Sequence, residues 1–141
     1  MMEAKRAIRV VCNEPKVMTM KARWGVGERT VVSVDDLSAA MMAIENGGQP
    51  TMLFLEEPGG PTLVLGIGLS ESVLTFVETD GASFHSRGDV SRKGRLQFWC
   101  RDQLDEFMEE MAVPLEVARR AASEFVRTKA RPTAVLWEAD W

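Results

Sequence analysis

The chain has 141 residues, of which 45% are hydrophobic and 27% are charged, and its formal net charge is −4. This length and composition predict a single globular domain over residues 1–141 and exclude a disordered chain. No apolar run approaches the roughly 18 residues of a spanning helix. Residues 1–9 lack the apolar segment of a secretory signal. We therefore expect a cytoplasmic protein that does not bind membranes and whose two cysteines, Cys12 and Cys100, are reduced.

Charge is segregated along the sequence. Residues 30–86 contain eight acidic residues and no lysine or arginine, and residues 102–116 contain six acidic residues and no base. Residues 1–29 and residues 87–101 each have a net charge of +4. This alternation argues against a continuous basic face for nucleic acid. It favours acidic surfaces that would meet a basic partner.

The first predicted element is a helix over about residues 35–46. Its apolar residues recur with the spacing of one helical face, and they are Leu37, Ala40, Met41 and Ile44. Ser33 or Asp35 can cap the start of this helix, and Gly47-Gly48 can end it.

Short apolar runs separated by turn residues follow the helix. Four of them are predicted as strands, and they are Met52–Glu56, Leu63–Gly68, Val73–Val77 and Ser83–Ser86. Their connections, which include the hairpin dipeptide Asp80-Gly81, are too short for parallel crossovers. We therefore expect an antiparallel meander. A polar loop at 87–94 and a further strand at Leu96–Cys100 follow it.

The last part of the chain combines an ambiguous segment with a clear helix. Residues 103–111 are compatible with a short acidic helix, because their apolar residues have helical spacing, or with an ordered loop. Pro114 begins a helix in the first-turn position, Pro132 ends it, and Thr133–Trp137 is predicted as a last strand. The predicted fold class is α+β. It consists of an antiparallel meander sheet of about five to six strands packed against a helix in the N-terminal half and a C-terminal helix.

Signatures of catalysis and metal binding are scarce. His85 is the only histidine in the sequence, and two separated cysteines do not form a zinc site. Two interpretations of His85 stay open. It could form a nucleophilic pair with Cys100, or it could be a half-exposed strand residue without a catalytic role. Gly66-Ile67-Gly68 is not a dinucleotide loop, because Glu71 stands at the third glycine position and a strand follows. We therefore expect a protein that is not an enzyme and has no cofactor or metal site.

The C-terminal third resembles the closing signature of a bacterial immunity-protein family. That signature is an alanine-rich helix ending in Glu-Phe, then Thr-Gly-x-Arg-Pro, then a strand ending in Trp. The residues that match it are Ala121, Glu124-Phe125, Thr128, Arg131-Pro132 and Val135-Leu136-Trp137. The similarity covers roughly residues 51–137, and Lys129 stands where the family usually has glycine. We expect Phe125 and Trp137 to lie in the core, and Arg131 to anchor a carboxylate or a carbonyl.

The resemblance implies a protein that protects bacteria from polymorphic toxins, which are often nucleic-acid deaminases such as cytosine deaminases. The implied partner is a cognate toxin domain, with no direct binding of nucleic acid. Two alternatives from other classes stay open. One is an acidic secretion chaperone or a similar interaction module, and the other is a small α+β enzyme with an unfamiliar site.

A toxin that acts on nucleic acid needs a basic cleft, which carboxylates of an inhibitor can occupy beside apolar anchors. The predicted toxin-binding residues are Glu78, Asp80, Trp99, Asp102, Asp105, Glu106, Phe107, Met108, Glu109 and Glu110. Trp24 is a further candidate anchor. In the plainer interpretation the acids only solvate one face, and Phe107 and Met108 belong to the core.

Overall fold

The computed structural model describes residues 19–140, and Cys12 lies outside this range. The strands in it are β1 Met20–Trp24, β2 Gly27–Val31, β3 Thr51–Glu56, β4 Thr62–Ile67, β5 Glu71–Ser72, β6 Leu74–Val77, β7 Ser83–Ser86, β8 Arg95–Cys100, β9 Gln103–Met108, β10 Val113–Pro114 and β11 Trp137–Ala139. The helices are α1 Val34–Gly47, α2 Leu115–Thr128 and a 3₁₀ helix at Glu109–Met111.

Helix α1 begins and ends at the residues that the sequence predicts. The hydroxyl of Ser33 accepts a hydrogen bond from the backbone N–H of Asp36 at 3.3 Å, which satisfies one of the unpaired donors of the first turn. The carboxylate of Asp36 accepts the N–H of Val32 at 2.9 Å, and this bond holds the pKa of Asp36 below its ordinary value. Gly48 has a φ of 79° and closes the helix in the left-handed conformation.

Nine of the described strands form one sheet. Seven of them run in the order β11-β7-β6-β4-β3-β1-β2, and β8 and β9 join it beside β3. All of its pairings are antiparallel except β3 with β8, where Thr51 pairs with Trp99. Strands β5 and β10 form a separate two-stranded ladder. The predicted α+β class, with two helices and a large antiparallel sheet, is confirmed. The sheet exceeds the expected five to six strands because β1, β2 and β9 extend it.

The sheet has a different cover on each face. Leu53 and Leu55 of β3 belong to the core beneath α1 and α2, while Met52 belongs to a second cluster on the opposite face. This division follows from the alternation of side chains along a strand. Phe98 of β8 fills the second cluster, and a Cβ atom at Gly66 would lie 2.5 Å from its ring. Hairpin β8–β9 therefore covers part of the face that the helices leave open.

Three local predictions are wrong. Residues 103–108 form a strand rather than a helix or a loop, because each of them pairs with a residue of β8. Pro114 precedes α2 in an extended conformation, and the helix begins at Leu115. The last strand is β11 rather than Thr133–Trp137, because the carboxylate of Glu124 accepts the N–H of Thr133 at 2.9 Å and holds that residue at the helix end.

Candidate functional site

Hairpin β8–β9 and the 3₁₀ helix after it contain eight of the ten predicted toxin-binding residues. The strands pair in register from Cys100 with Gln103 at the turn to Arg95 with Met108 at the open end. The two-residue turn Arg101-Asp102 places Arg101 at a φ of 63°, and Asp102 is exposed at the tip.

One face of the hairpin points to solvent. We call it the outward face, and it consists of the cross-strand pairs Arg95 with Met108, Gln97 with Glu106, and Trp99 with Leu104. Leu104 is 44% exposed and Met108 is 46% exposed. The exposed carboxylate of Glu106 accepts a hydrogen bond from Nε2 of Gln97 at 3.2 Å. Leu104 is not among the predicted toxin-binding residues, and strand alternation places it with Glu106 and Met108.

Two tryptophans line one cavity near the tip of this hairpin. Trp24 and Trp99 line a small cavity of about 130 Å³, together with Arg101 and the end of α1. The ring of Trp24 lies over Gly27, where a Cβ atom would come within 2.2 Å of it. Val26, in the turn between β1 and β2, is fully exposed beside them. The apolar part of the outward face therefore continues onto the β1–β2 turn.

The opposite face of the hairpin belongs to the core. The ring of Phe107 contacts Phe98 edge-on, with centroids 6.0 Å apart. Asp105 is partly buried on the same face and accepts a hydrogen bond from Nε2 of Gln103 at 2.6 Å. Burial raises the pKa of the nearby Cys100 thiol, and the charge of Asp105 raises it further. The structure thus separates Asp105 and Phe107 from the exposed candidates.

Glu109 and Glu110 hold the polar loop in place. Arg92 donates two hydrogen bonds to the carboxylate of Glu71, at 2.6 and 2.9 Å, and a third to Glu109 at 3.3 Å. The bonds from Arg92 hold the pKa of Glu71 below its ordinary value, and the paired carboxylates raise the pKa of Arg92. The backbone carbonyl of Glu110 accepts the N–H of Gly88 at 2.7 Å.

Glu78 and Asp80 lie at the other end of the sheet. They belong to the turn between β6 and β7, where Asp80 accepts the N–H of Ala82 at 3.0 Å and Gly81 has a φ of 94°. Hairpin β8–β9 joins the sheet at the first residue of β3. Glu78 lies near the opposite end of β3, because it follows Val77, Val77 pairs with Thr62, and Thr62 pairs with the last residue of β3. Six residues of strand span roughly 17–20 Å. The ten predicted residues therefore do not form one surface.

A cavity of about 590 Å³ lies beside Glu78, and its wall includes Lys129, Arg131 and Trp137. The guanidinium of Arg131 stacks over the ring of Phe84, 4.1 Å from the centroid. The sequence predicts a carboxylate or carbonyl as the partner of Arg131. Among the described residues, its partner is instead the ring of Phe84, through a cation–π contact.

His85 contacts two carboxylates across the β7–β11 ladder. Its Nδ1 bonds to Asp140, and its Nε2 lies 3.2 Å from Glu138. Partial burial raises the pKa of Asp140, but hydrogen bonds from His85 and Ser83 outweigh it and keep that pKa below its ordinary value. His85 lies on β7, and Cys100 lies on β8, which joins the sheet at β3. Strands β4 and β6 separate β7 from β3, so the structure does not bring His85 and Cys100 together.

Residues 19–140 lack two further features. No group of three or more histidine, cysteine, aspartate or glutamate residues in this range is arranged to hold a metal ion. No helix in it is both long and apolar enough to cross a membrane.

One known protein family matches most of the described residues. The family model described as Immunity protein Imm1 matches residues 25–139, from the β1–β2 turn to the end of β11. No curated protein matches the chain. The match confirms the resemblance to an immunity-protein family, which covers roughly residues 51–137, and extends it to β2 and α1. The chain therefore belongs to the Imm1 family of immunity proteins.

Proposed function

We propose that the protein binds a cognate secreted bacterial toxin in the cytoplasm and neutralises it by occluding a basic active-site cleft, without catalysing a reaction. We further propose that the toxin is a nucleic-acid deaminase, and specifically a cytosine deaminase. Membership of the Imm1 family supports the immunity function. The single observation that supports a binding surface is the outward face, where Leu104 and Met108 flank the carboxylate of Glu106.

The outward face has the composition of an interface centre. Leu104, Met108 and the partly buried Trp99 give it apolar area, and Val26 extends that area at the tip. Burial of apolar surface contributes about 25 cal/mol per Å², so a few such side chains can dominate the affinity. A stable complex needs roughly 800 Å² on each partner. The interface must therefore extend beyond the hairpin.

The carboxylates of β9 and the turn before it suit a basic partner, and Arg95 on β8 is the one basic residue of the outward face. Residues 102–116 contain no lysine or arginine, and Asp102 and Glu106 are exposed. Enzymes that act on nucleic acid carry basic surfaces for the phosphate backbone. Carboxylates that face such a surface speed association and discriminate among partners more than they add affinity.

A capture experiment tests this function. The tagged full chain is used as bait in a lysate of the native bacterium, and retained proteins are identified by mass spectrometry. We expect one stoichiometric partner with a small toxic domain whose cytosine deamination stops when the full chain is added at equal concentration. Recovery of many unrelated proteins would instead support a chaperone, and recovery of none would contradict the proposal.

A pair of matched variants locates the surface. Leu104→Asp places a charge on the outward face and should abolish capture. Leu136→Asp is the control, because Leu136 is 74% exposed beside β11, at the far edge of the sheet. Equal capture by both variants would show that the toxin binds another surface.

A further inference from the structure

We infer that the unpaired edge of β9 receives an extended, basic strand of the toxin, which joins the sheet through backbone hydrogen bonds. This inference rests on the proposed function and specifies how the toxin is held. Addition of a strand to an exposed edge is a known mode of recognition, in which the backbone supplies affinity and alternate side chains supply specificity.

The geometry of β8 shows which backbone groups of β9 face that edge. The N–H of Trp99 donates to the carbonyl of Pro50 at 2.8 Å, so it points away from its cross-strand partner Leu104. The N–H of Glu109 donates to the carbonyl of Gly94 at 3.0 Å. Because every second residue of an antiparallel strand bonds to its partner, the N–H groups of Phe107 and Asp105 also point toward β8. The N–H and C=O groups of Leu104, Glu106 and Met108 therefore point to the edge opposite β8.

This edge is unpaired and open among the described residues. Strand β9 pairs with β8 alone within residues 19–140. It spans six residues and contains neither proline nor lysine, two common protections of exposed edges, and its only charged residues, Asp105 and Glu106, are both acidic. The other two edges differ from it. Strand β2 carries charges of both signs at Glu28 and Arg29, and β11 has only three residues.

Charge disfavours a second copy of this chain as the added strand. Asp105 and Glu106 are adjacent, and β9 has no basic residue. In every antiparallel register that pairs five or more residues of two β9 strands, an acidic residue lies directly opposite another acidic residue. Like charges in that position are destabilising.

The same pattern specifies the partner. A strand with lysine or arginine opposite Asp105 or Glu106 would pair its charges with β9. Apolar residues two positions before and after the one opposite Glu106 would meet Leu104 and Met108, which are about half exposed. A toxin that binds nucleic acid has basic surface strands of this kind available.

Amide hydrogen exchange tests the inference directly. The full chain is labelled with ¹⁵N and measured alone and in complex with the captured toxin. We expect exchange at Leu104, Glu106 and Met108 to be fast in the free chain and at least tenfold slower in the complex. Asp105 and Phe107, whose N–H groups bond toward β8, should be protected in both states. Slow exchange in the free chain would mean that another part of the chain occupies the edge, and unchanged exchange in the complex would also overturn the inference.

Two substitutions at one position provide a second test. Glu106→Pro removes a backbone donor at the edge and leaves the bonds to β8, whereas Glu106→Gln removes only the charge. We expect the Kd of the proline variant for the captured toxin to exceed that of the glutamine variant by about tenfold. This ratio corresponds to the upper end of the free energy that one hydrogen bond contributes. Equal Kd values would contradict strand addition. If the proline variant does not fold, the exchange measurement decides.

The two proposals fail separately. If no toxin is captured, the proposed function fails and the inference fails with it. If a toxin is captured and inhibited while the amides of β9 stay unprotected, the immunity function stands and strand addition alone is wrong.

Discussion

The carboxylate of Glu124 accepts hydrogen bonds from both the backbone N–H and the hydroxyl of Thr133, at 2.9 and 3.0 Å. Thr128 adds a bond from its hydroxyl to the carbonyl of Glu124 at 2.9 Å, and Nε1 of Trp137 donates to the carbonyl of Pro132 at 2.7 Å. These bonds reverse the chain after α2 and bring Trp137 within 6.0 Å of the Phe76 ring. The residues that resemble the family signature thus maintain the fold, and none of them lies on the outward face.

The end of α2 predicts a stabilising substitution. Lys129 adopts a φ of 58° and closes the helix in the left-handed region, where a Cβ atom is unfavourable. We expect Lys129→Gly to raise the free energy of unfolding by about 0.5–1 kcal/mol, measured by urea denaturation. Lys129→Ala is the control, because it keeps the strained Cβ and loses only the bond from Nζ to the Val126 carbonyl. A glycine variant no more stable than the alanine variant would contradict this account.

The contact of Phe98 with Gly66 predicts a destabilising substitution. A Cβ atom at Gly66 would lie 2.5 Å from the buried Phe98 ring, so Gly66→Ala must displace the hairpin. We expect a loss of about 1–3 kcal/mol in the free energy of unfolding, as for other overpacked cores. Phe98→Leu should recover part of this loss in the double variant. Gly47→Ala, with no atom within 4 Å of the added Cβ, should be nearly neutral.

The pairing of Arg92 with Glu71 predicts how stability depends on pH. The folded pKa of Glu71 lies below its ordinary value, so the pair stabilises the fold fully above the unfolded carboxyl pKa of about 4.3. That contribution is lost as the pH falls through the lower, folded pKa. We expect Arg92→Gln to lower the free energy of unfolding at pH 6–7 and the difference from wild type to shrink toward pH 3, in urea titrations at each pH.

Lys93→Gln is the matched control for this experiment, because Lys93 is an exposed neighbour in the same loop. Its stability should follow that of the wild type at every pH. A constant difference between wild type and Arg92→Gln would show that Arg92 acts through packing alone.

Charge at Glu106 predicts how toxin binding depends on salt. Glu106→Lys should weaken binding of the captured toxin and flatten the dependence of its association rate on ionic strength, because screening then acts on fewer attractive pairs. Glu138→Lys is the control, since it makes the same change of charge at an exposed position of β11, at the far edge of the sheet. The same salt dependence for both variants would remove Glu106 from the interface.

Local patterns in the sequence predicted much of the fold. The cap at Ser33, the spacing of Leu37 and Ile44, and the turn at Asp80-Gly81 depend on neighbouring residues, and the structure confirms them. Strand β9 could not be identified in this way, because Leu104, Phe107, Met108 and Met111 have helical spacing by coincidence. Only its pairing with β8 determines its conformation.

The candidate site was less predictable because it depends on which face each side chain takes. Asp105 and Glu106 are equivalent as a run of acidic residues, yet one lies against the core and the other in solvent. Glu109 resembles them in sequence but is tied to Arg92, which lies 17 residues earlier in the chain. Tertiary pairing of this kind leaves no local pattern.

Strand β8 joins the sheet at one residue pair, Thr51 with Trp99, and is then held by Phe98 above Gly66. Because these anchors lie on β8 and half of the outward side chains lie on β9, residues such as Leu104, Glu106 and Met108 can be replaced without repacking the core. Under the proposed function, a chain built in this way can exchange one toxin for another over evolutionary time through a few substitutions on β9, while the scaffold that carries it stays the same.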